Sequence, residues 1–323
     1  MFLLALLAGW TDSRAESLQA SVARVEITPP PGFLLDGYPD PDSSRIGTGA
    51  RDPLFARVLI LRSGSTRLAL VDLDLVEVLG PDYIARLREA TRGDVSHLLV
   101  VCIHTHSGPP LDSVATSPVG AWYASTVDKI AAAIHTAAAQ TVPVRFGVGY
   151  GVAYLGSNRL RIEHDGGISW FEKNWVGTPN ALVDPTVAVV RLDTADGSPL
   201  AVLVNYACHP VIYGPDNRLY SADFPGVATD LVQRGLGGKP LCFYLQGGAG
   251  DINPTHAVSS LQQGAVQFCR EAGTELADAV IRVAKGIRTA PEDDSSLQVA
   301  EDTLALKPRW NAKKWKAARP EDA

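Results

Sequence analysis

The sequence predicts an α/β fold in which a mixed β-sheet forms the core and helices flank it. Two observations support this prediction. From Val22 onward, short runs rich in β-branched residues alternate with helical stretches, and several runs end in loops that contain histidine or glycine. The 323 residues are 46% hydrophobic and 20% charged, and they include 29 Gly and 22 Pro, which is typical of a globular, loop-rich protein.

The N-terminal part of the chain is predicted to contain a hairpin, two helices and a strand. The predicted elements are a hairpin over 54–62 and 67–75, a helix over 81–92, a buried strand over 97–103 and a helix over 123–140. The turn Ser63-Gly64-Ser65 separates the hairpin strands, and Pro81 and Gly93 mark the ends of the first helix. The alanine-rich second helix has the strongest helix propensity in the sequence.

The C-terminal part is predicted to follow the same alternation. The predicted elements are paired strands over 185–192 and 199–207, a helix over 225–236, a strand over 240–246 and a helix over 261–285. Past Gly286 the chain becomes polar and weakly patterned. We therefore predict a folded domain over 21–286 and, over 287–323, a polar tail or the start of a further part.

The N-terminus and the charge balance indicate where the protein acts and what it does not bind. Residues 1–10 form an apolar run followed by polar and small residues, which predicts an export signal over 1–20 and a secreted or periplasmic protein. A buried N-terminal helix or a shortened start is the alternative. The net charge of -6 indicates that nucleic acid is not a partner, because a polyanion needs a basic face. Lys313, Lys314 and Lys316 are interpreted as part of a solvated tail.

The cysteines do not indicate a metal or redox motif. None of the four has C-x-x-C spacing, so neither a zinc finger nor a thioredoxin-type site is predicted. Three of them lie in apolar runs, where cysteine behaves as a small buried hydrophobe. A disulfide between Cys102 and Cys208 is the alternative.

Two predicted strands end in histidine, which indicates a metal site. In His104-Thr105-His106 the two imidazoles would share a face if the chain stays extended, and such a pair can hold or flank a metal. His209 follows the apolar run 199–207 and is itself followed by Pro210. Each motif alone is also compatible with ordinary surface or core histidines. Because two predicted strands end in the same way, we favour the interpretation that these histidines are metal ligands.

Two further loops contain residues suited to binding a polar group. The loop 247–254 is rich in glycine, which lets the backbone approach a ligand and present N–H groups to an oxyanion. A phosphate loop is not predicted, since no Gly-Lys-Ser/Thr follows; a plain glycine-rich turn is the alternative. In 156–159, Arg159 can clamp a carboxylate or polarise a carbonyl.

Together these motifs resemble the neutral/alkaline (non-lysosomal) ceramidases, zinc enzymes that cleave the amide of N-acylsphingosine. The resemblance extends from about Ser21 to Pro254. The motifs that carry it are 23–29 (ARVEITP), Gly37-Tyr38, 104–109 (HTHSGP), Asn158-Arg159, His209-Pro210, Gly250-Asp251 and Pro254. The HTHSGP string is the most specific of them. The resemblance implies a ceramidase-like catalytic domain that is incomplete at its C-terminus.

The resemblance also implies roles for individual residues. It implies His104 and His209 as zinc ligands, and His106 as an acid, base or orienting group. Arg159, Gly250 and Asp251 are implied as substrate contacts, and Arg159 and Asn253 as catalytic groups. The implied function is zinc-dependent hydrolysis of an N-acyl (sphingo)lipid or a related N-acyl compound by activated water. Zinc lowers the pKa of bound water to ~7. A lipid substrate would bring transient contact with a membrane surface.

One departure from the family concerns a serine. Ceramidases carry a serine two residues after the Gly-Asp pair, where this chain has Asn253. An amide is not a nucleophile, so the resemblance favours a water-based reaction over an acyl-enzyme at this position. Ser107 and Thr255 are alternative hydroxyl groups.

The second departure concerns the zinc ligands. The family's glutamate and tyrosine ligands lie downstream of the Gly-Asp pair, and the tail to Ala323 has nothing comparable. We therefore interpret the chain as a truncated member, with Asp74 or Asp223 as candidate substitutes. Two alternatives stay open: a degenerate member that acts as a binding module, and another metallohydrolase, such as a phosphatase, that uses Asp72, Asp74 and the histidines.

Overall fold

The computed structural model describes residues 17–38, 45–111, 117–170, 182–290 and 297–305. The strands of these ranges are β1 (Gln19–Glu26), β2 (Gly49–Ala50), β3 (Phe55–Ser63), β4 (Thr66–Leu73), β5 (His97–Cys102), β6 (Val142–Val152), β7 (Gly156–Asn158), β8 (Leu160–Ile162), β9 (Ile168–Trp170), β10 (Thr186–Thr194), β11 (Pro199–Tyr206), β12 (Leu219–Tyr220), β13 (Leu241–Gln246) and β14 (Ile252–Pro254). The helices are α1 (Pro81–Thr91), α2 (Pro118–Ala138), α3 (Asp223–Gly235) and α4 (Ala265–Gly286).

Eight strands form one mixed sheet in the order β13-β11-β10-β6-β1-β3-β4-β5. The pairs β4–β5 and β11–β13 are parallel, and the others are antiparallel. β1 and β6 pair only through Gln19–Pro143 and Ala20–Val142. The sheet therefore has an N-terminal half-sheet (β1, β3, β4, β5) and a C-terminal half-sheet (β6, β10, β11, β13), joined at one corner. The predicted α/β fold with a mixed sheet and flanking helices is confirmed.

The two half-sheets also contact each other away from that corner. A small core joins Leu59 and Leu70 of the N-terminal half-sheet to Leu192 and Phe243 of the C-terminal half-sheet. The amide of Tyr244 in β13 donates a hydrogen bond of 3.1 Å to the carboxylate of the β4 residue Asp72. The sheet is thus curled, so that its two edges approach one another.

The helices cover the other face of each half-sheet. Helices α1 and α2 pack together, and α2 lies against β1 and β3; α3 and α4 pack together against β13, β6 and β10. Glycines alternate along β6 where α4 crosses it. A Cβ at Gly149 or Gly151 would lie 2.8 or 2.6 Å from Val283, so these glycines allow the close contact.

The predicted elements are present, and the largest differences are at the starts of two helices. Helix α2 begins at Pro118 rather than 123, because Ser117 caps it by accepting a hydrogen bond of 2.9 Å from the Gly120 amide. Helix α4 begins at Ala265 rather than 261, since Gly264 has a left-handed φ of 97° and ends the preceding turn. Helix α4 ends at Gly286, where a domain boundary was predicted.

All four cysteines are free, so the alternative of a Cys102–Cys208 disulfide is not realised. Cys208, Cys242 and Cys269 are buried, whereas Cys102 is partly buried although it lies in an apolar run. Within the described ranges, no helix combines the length and hydropathy needed to span a membrane. Most of the predicted export segment and the basic positions 313–316 lie outside the described residues, and their roles stay predictions.

Candidate metal centre

The ends of three strands converge on one pocket. His104 follows β5 and His209 follows β11, and both line this pocket; the loop 247–251, which follows β13, borders it through Ala249 O, 2.6 Å from His209 Nδ1. Strand β14 pairs with β7, which brings Asn253 and Arg159 to the same place. The pocket has a volume of about 760 Å³, and its lining residues are Asp36, Gly37, Tyr38, Val76, Glu77, His104, His106, Arg159, His209, Val211, Asn253 and Val258.

The backbone turns sharply at the first histidine. His104 has φ of 70°, in the left-handed region that non-glycine residues seldom adopt, and its amide donates to Leu75 O at 2.9 Å. We predicted that the two imidazoles share a face if the chain stays extended through His104-Thr105-His106. The chain is not extended there. The turn nevertheless brings both imidazoles into the pocket, because His106 Nε2 lies 3.5 Å from His104 Nε2.

His104 and His209 direct the same kind of nitrogen at each other. His104 Nδ1 lies 2.7 Å from Val76 O, and His209 Nδ1 lies 2.6 Å from Ala249 O. A carbonyl oxygen only accepts, so each Nδ1 carries a proton and Nε2 is the nitrogen left to bind a metal. The two Nε2 atoms are 3.0 Å apart. They are therefore close enough for one ion to contact both.

The third imidazole completes a cluster suited to a metal ion. Ligand nitrogens of His104, His106 and His209 all lie within 4.8 Å of one another. Ligands about 2.0–2.1 Å from one tetrahedral ion are roughly 3.3–3.4 Å apart, which is close to the separations of 3.0 and 3.5 Å found here. His106, predicted as a helper, is thus placed as a third candidate ligand. Three protein ligands with one open position are typical of catalytic zinc.

His106 and His209 are held in the neutral form that binds metals. Burial lowers the pKa of His106 to about 3, and the nearby His104, His209, Arg159 and Arg45 add to this effect. Burial also lowers the pKa of His209 to about 4. Both rings are therefore deprotonated at neutral pH, as metal coordination requires.

A buried arginine fixes the loop of His106. Arg45 is 2% exposed, and its guanidinium donates to His106 O at 3.1 Å and to Asp36 O at 2.9 Å. The Tyr38 ring meets the His106 ring edge-on, with centroids 5.2 Å apart. Gly37 lies against the same ring. Arg45 was not singled out from the sequence, because a lone arginine in a loop has no local signal for such a role.

The glycine-rich loop holds Arg159 in place. Arg159 donates to Gly250 O through Nη2 at 2.7 Å and Nε at 3.1 Å, and its amide donates to Asp251 O at 2.7 Å. The Asp251 carboxylate accepts 2.7 Å from Asn158 Nδ2. Of the predicted substrate contacts, Arg159 lines the pocket, whereas Gly250 and Asp251 support it from outside the described lining. Asn253 lines the pocket and is 2% exposed.

The carboxylates considered as substitute ligands lie elsewhere. Asp74 accepts a hydrogen bond of 2.6 Å from the buried Arg57, and Asp72 lies 3.8 Å from the same guanidinium. Asp223 accepts from the amides of Ile212 and Tyr213. Because these oxygens are engaged away from the described histidine cluster, the structure does not support them as metal ligands. The phosphatase alternative requires Asp72 and Asp74 beside the histidines, and the structure does not group them with the histidine cluster.

The alternative hydroxyl groups are also engaged elsewhere. Ser107 is 1% exposed and its Oγ accepts 3.1 Å from Asn217 Nδ2. Thr255 Oγ1 donates to Leu155 O at 3.2 Å. The pocket instead contains two carboxylates that the sequence did not indicate, Asp36 and Glu77.

Two solved ceramidase structures share this fold. The neutral ceramidase from Pseudomonas aeruginosa gives a TM-score of 0.67 at 19% sequence identity, over 84% of this chain and 45% of that chain. A ceramidase complexed with C2 gives a TM-score of 0.66 at 17% identity, over 84% and 44%. No protein-family model matches the sequence, and no curated protein matches it. The chain spans less than half the length of either ceramidase. Its fold is ceramidase-like, and it presents three histidines that could hold a metal.

Proposed function

We propose that the protein is a metal-dependent hydrolase of N-acyl compounds, with His104, His106 and His209 as ligands of one zinc ion. The observation that carries this proposal is the convergence of three imidazoles, in which the Nε2 atoms of His104 and His209 lie 3.0 Å apart while each Nδ1 faces a backbone carbonyl, as in ligands of a metal ion. Imidazole is a suitable ligand for zinc. Bound zinc would supply a water with a pKa of ~7 and polarise an amide carbonyl. The ceramidase-like fold supports an amide as the bond that is cleaved.

The protein's own residues would orient the substrate. Arg159 is fixed by two bonds to Gly250 O and lines the pocket, so it can bind the carbonyl oxygen of an N-acyl group without reorganisation. Asn253 lines the same pocket, and its side-chain amide can donate to the oxygen as negative charge develops. Because an amide is not a nucleophile, Asn253 supports attack by water rather than an acyl-enzyme.

The test combines metal analysis with turnover of a fluorogenic N-acyl substrate. We expect one zinc per chain in the purified protein, and H104A and H209A should lose both zinc and activity. His135 is the control, because its ring is 77% exposed and contacts Asp94 away from the pocket. H135A should keep both properties. A zinc-free protein, or turnover that is indifferent to H104A and H209A, would overturn the proposal.

The binding-module alternative is separated by the same experiment. A protein that holds zinc but turns over no N-acyl substrate would favour it. In that case N253S would restore the serine found in the family. If N253S hydrolyses the N-acyl substrate and the wild-type protein does not, the missing activity is due to Asn253.

A further inference from the structure

A second cavity, of about 560 Å³, lies between the N-terminal half-sheet and helices α3 and α4. We name it the seam cavity, and its walls include Arg24 and Phe55 on the sheet side and Val227, Leu231 and Arg270 on the helix side. No described residue lines both the seam cavity and the histidine pocket. It is therefore a separate candidate site.

The wall of the seam cavity contains a continuous apolar part. Val227 and Leu231 are one turn apart on α3 and face the same side, opposite Phe55. The guanidinium carbon of Arg24 lies 4.3 Å from the centroid of the Phe55 ring, within the range of a cation–π contact, so the positive charge adjoins this aromatic wall. Small-molecule sites are typically concave, largely apolar and about 300–1,000 Å³ in volume, with few polar groups that fix orientation.

The carboxylates of the cavity are already neutralised or hydrogen-bonded. Asp74 accepts from Arg57 at 2.6 Å and from the Phe55 amide at 2.8 Å. Asp52 accepts from Ser221 Oγ at 2.6 Å and from the Ala222 amide at 2.8 Å. The remaining carboxylate of the lining, Asp230, pairs with Arg234 at 2.6 Å.

Two arginines of the cavity have no such partner. Within the described residues, neither Arg24 nor Arg270 forms an ion pair with a carboxylate. Both are exposed at the mouth, next to the apolar wall. Deeper in the lining, Arg57 is 4% exposed and its Nε has no hydrogen-bond partner. Arg57 is paired with Asp74 and Asp72, so the uncompensated positive charge of the cavity is that of Arg24 and Arg270, beside the apolar surface.

We propose that the seam cavity binds an aliphatic carboxylate. The carboxylate lies between Arg24 and Arg270, because guanidinium groups match carboxylate geometry with paired hydrogen bonds. The aliphatic chain packs against Phe55, Val227 and Leu231. An inorganic anion would leave this apolar wall in water, and an alcohol would leave both arginines unpaired.

The test measures binding of sodium octanoate by calorimetry, with octanol and inorganic phosphate as comparison ligands. Octanoate should bind to the wild-type protein, and R24Q and R270Q should each weaken binding about tenfold or more. R282Q is the matched control, since Arg282 is exposed on α4 and does not line the cavity. It should bind octanoate as the wild type does.

One further variant separates the seam cavity from the histidine pocket. Octanoate could also bind a metal ion there, so H104A must retain octanoate binding if the seam cavity is the site. Loss of binding in H104A, binding in R24Q and R270Q equal to that in R282Q, or octanol or phosphate binding as tightly as octanoate, would each overturn the proposal. Circular dichroism verifies that every variant is folded.

Discussion

Replacing Gly37 with alanine should displace His106 and weaken metal binding. A Cβ at Gly37 would lie 2.3 Å from His106 Cγ and 2.5 Å from Nδ1. Carbon atoms in contact are ordinarily ~3.5–4.0 Å apart, so the ring must move by more than about 1 Å. Metal–ligand distances tolerate only about 0.2 Å, and the displaced Nε2 would leave the coordination sphere. We expect the affinity for zinc to fall by at least about 10–100-fold, the range found when the support of a ligand is removed.

Gly32 provides a control with the same backbone conformation. Gly32 and Gly37 have φ of 108° and 96°, so alanine meets a similar left-handed strain at both positions, on the order of 1–2 kcal/mol. A Cβ at Gly32 would have nothing within 4 Å, so G32A lacks the collision with His106. Zinc affinity is measured by competition with a chromophoric chelator at pH 7, and thermal unfolding verifies the fold. The reasoning is refuted if G37A binds zinc as tightly as G32A.

Three further predictions concern the buried charges and the imidazoles. R45M should lower zinc affinity in the chelator assay, because it removes the guanidinium 3.1 Å from His106 O. D74N should lower the free energy of unfolding in denaturant by up to about 3–5 kcal/mol, because it removes the closer of the two carboxylates that pair with the buried Arg57, and zinc affinity should be unchanged. D128N breaks a pair that is 48% and 62% exposed and should cost at most ~1 kcal/mol. The lowered pKa values of His106 and His209 mean that, from about pH 6.5 down to about 4, the unfolded chain binds protons that the native chain does not. Relative to the H106Q/H209Q double variant, the metal-free protein should therefore lose stability on acidification, by up to about 1.4 kcal/mol per pH unit for each histidine.

Each of these predictions has a result that would contradict it. Unchanged zinc affinity in R45M would show that the loop of His106 is held without Arg45. If D74N and D128N lower the free energy of unfolding equally, burial does not strengthen the ion pair of Asp74 with Arg57. A double variant with the same pH slope as the wild type would show that His106 and His209 titrate normally.

The sequence predicts the elements of this fold because its periodicities are strong and local. The hairpin of β3 and β4 follows from two β-rich runs around a Ser-Gly-Ser turn, and the structure pairs the two strands antiparallel from Ala56–Leu73 to Ser63–Thr66. The ends of helices were less predictable. The start of α2 depends on Ser117, whose capping role is visible only once its hydroxyl is seen to accept from the Gly120 amide.

The sequence also predicts that the histidines of two strand ends lie together, but not the arrangement of their nitrogens. The turn that directs His106 at His104 requires φ of 70° at His104, and although histidine is enriched among left-handed residues, its presence alone does not predict that conformation. The tautomers depend on Val76 O and Ala249 O, which are 28 and 40 residues distant in the chain. The same applies to Asp74, whose position at a strand end suggested a ligand. Its bond to Arg57 across the hairpin directs it elsewhere.

The construction of the sheet explains why the histidine cluster depends on long-range contacts. His104 and His106 follow the N-terminal half-sheet, whereas His209 follows the C-terminal half-sheet. The backbones of the two half-sheets pair directly only through Gln19–Pro143 and Ala20–Val142. A metal bound by all three imidazoles would therefore add a connection at the ends of the strands to those made by the corner, the small core and the Tyr244–Asp72 hydrogen bond. Because a ligand that binds only the native state stabilises it, such an ion would oppose separation of the half-sheets as well as support chemistry.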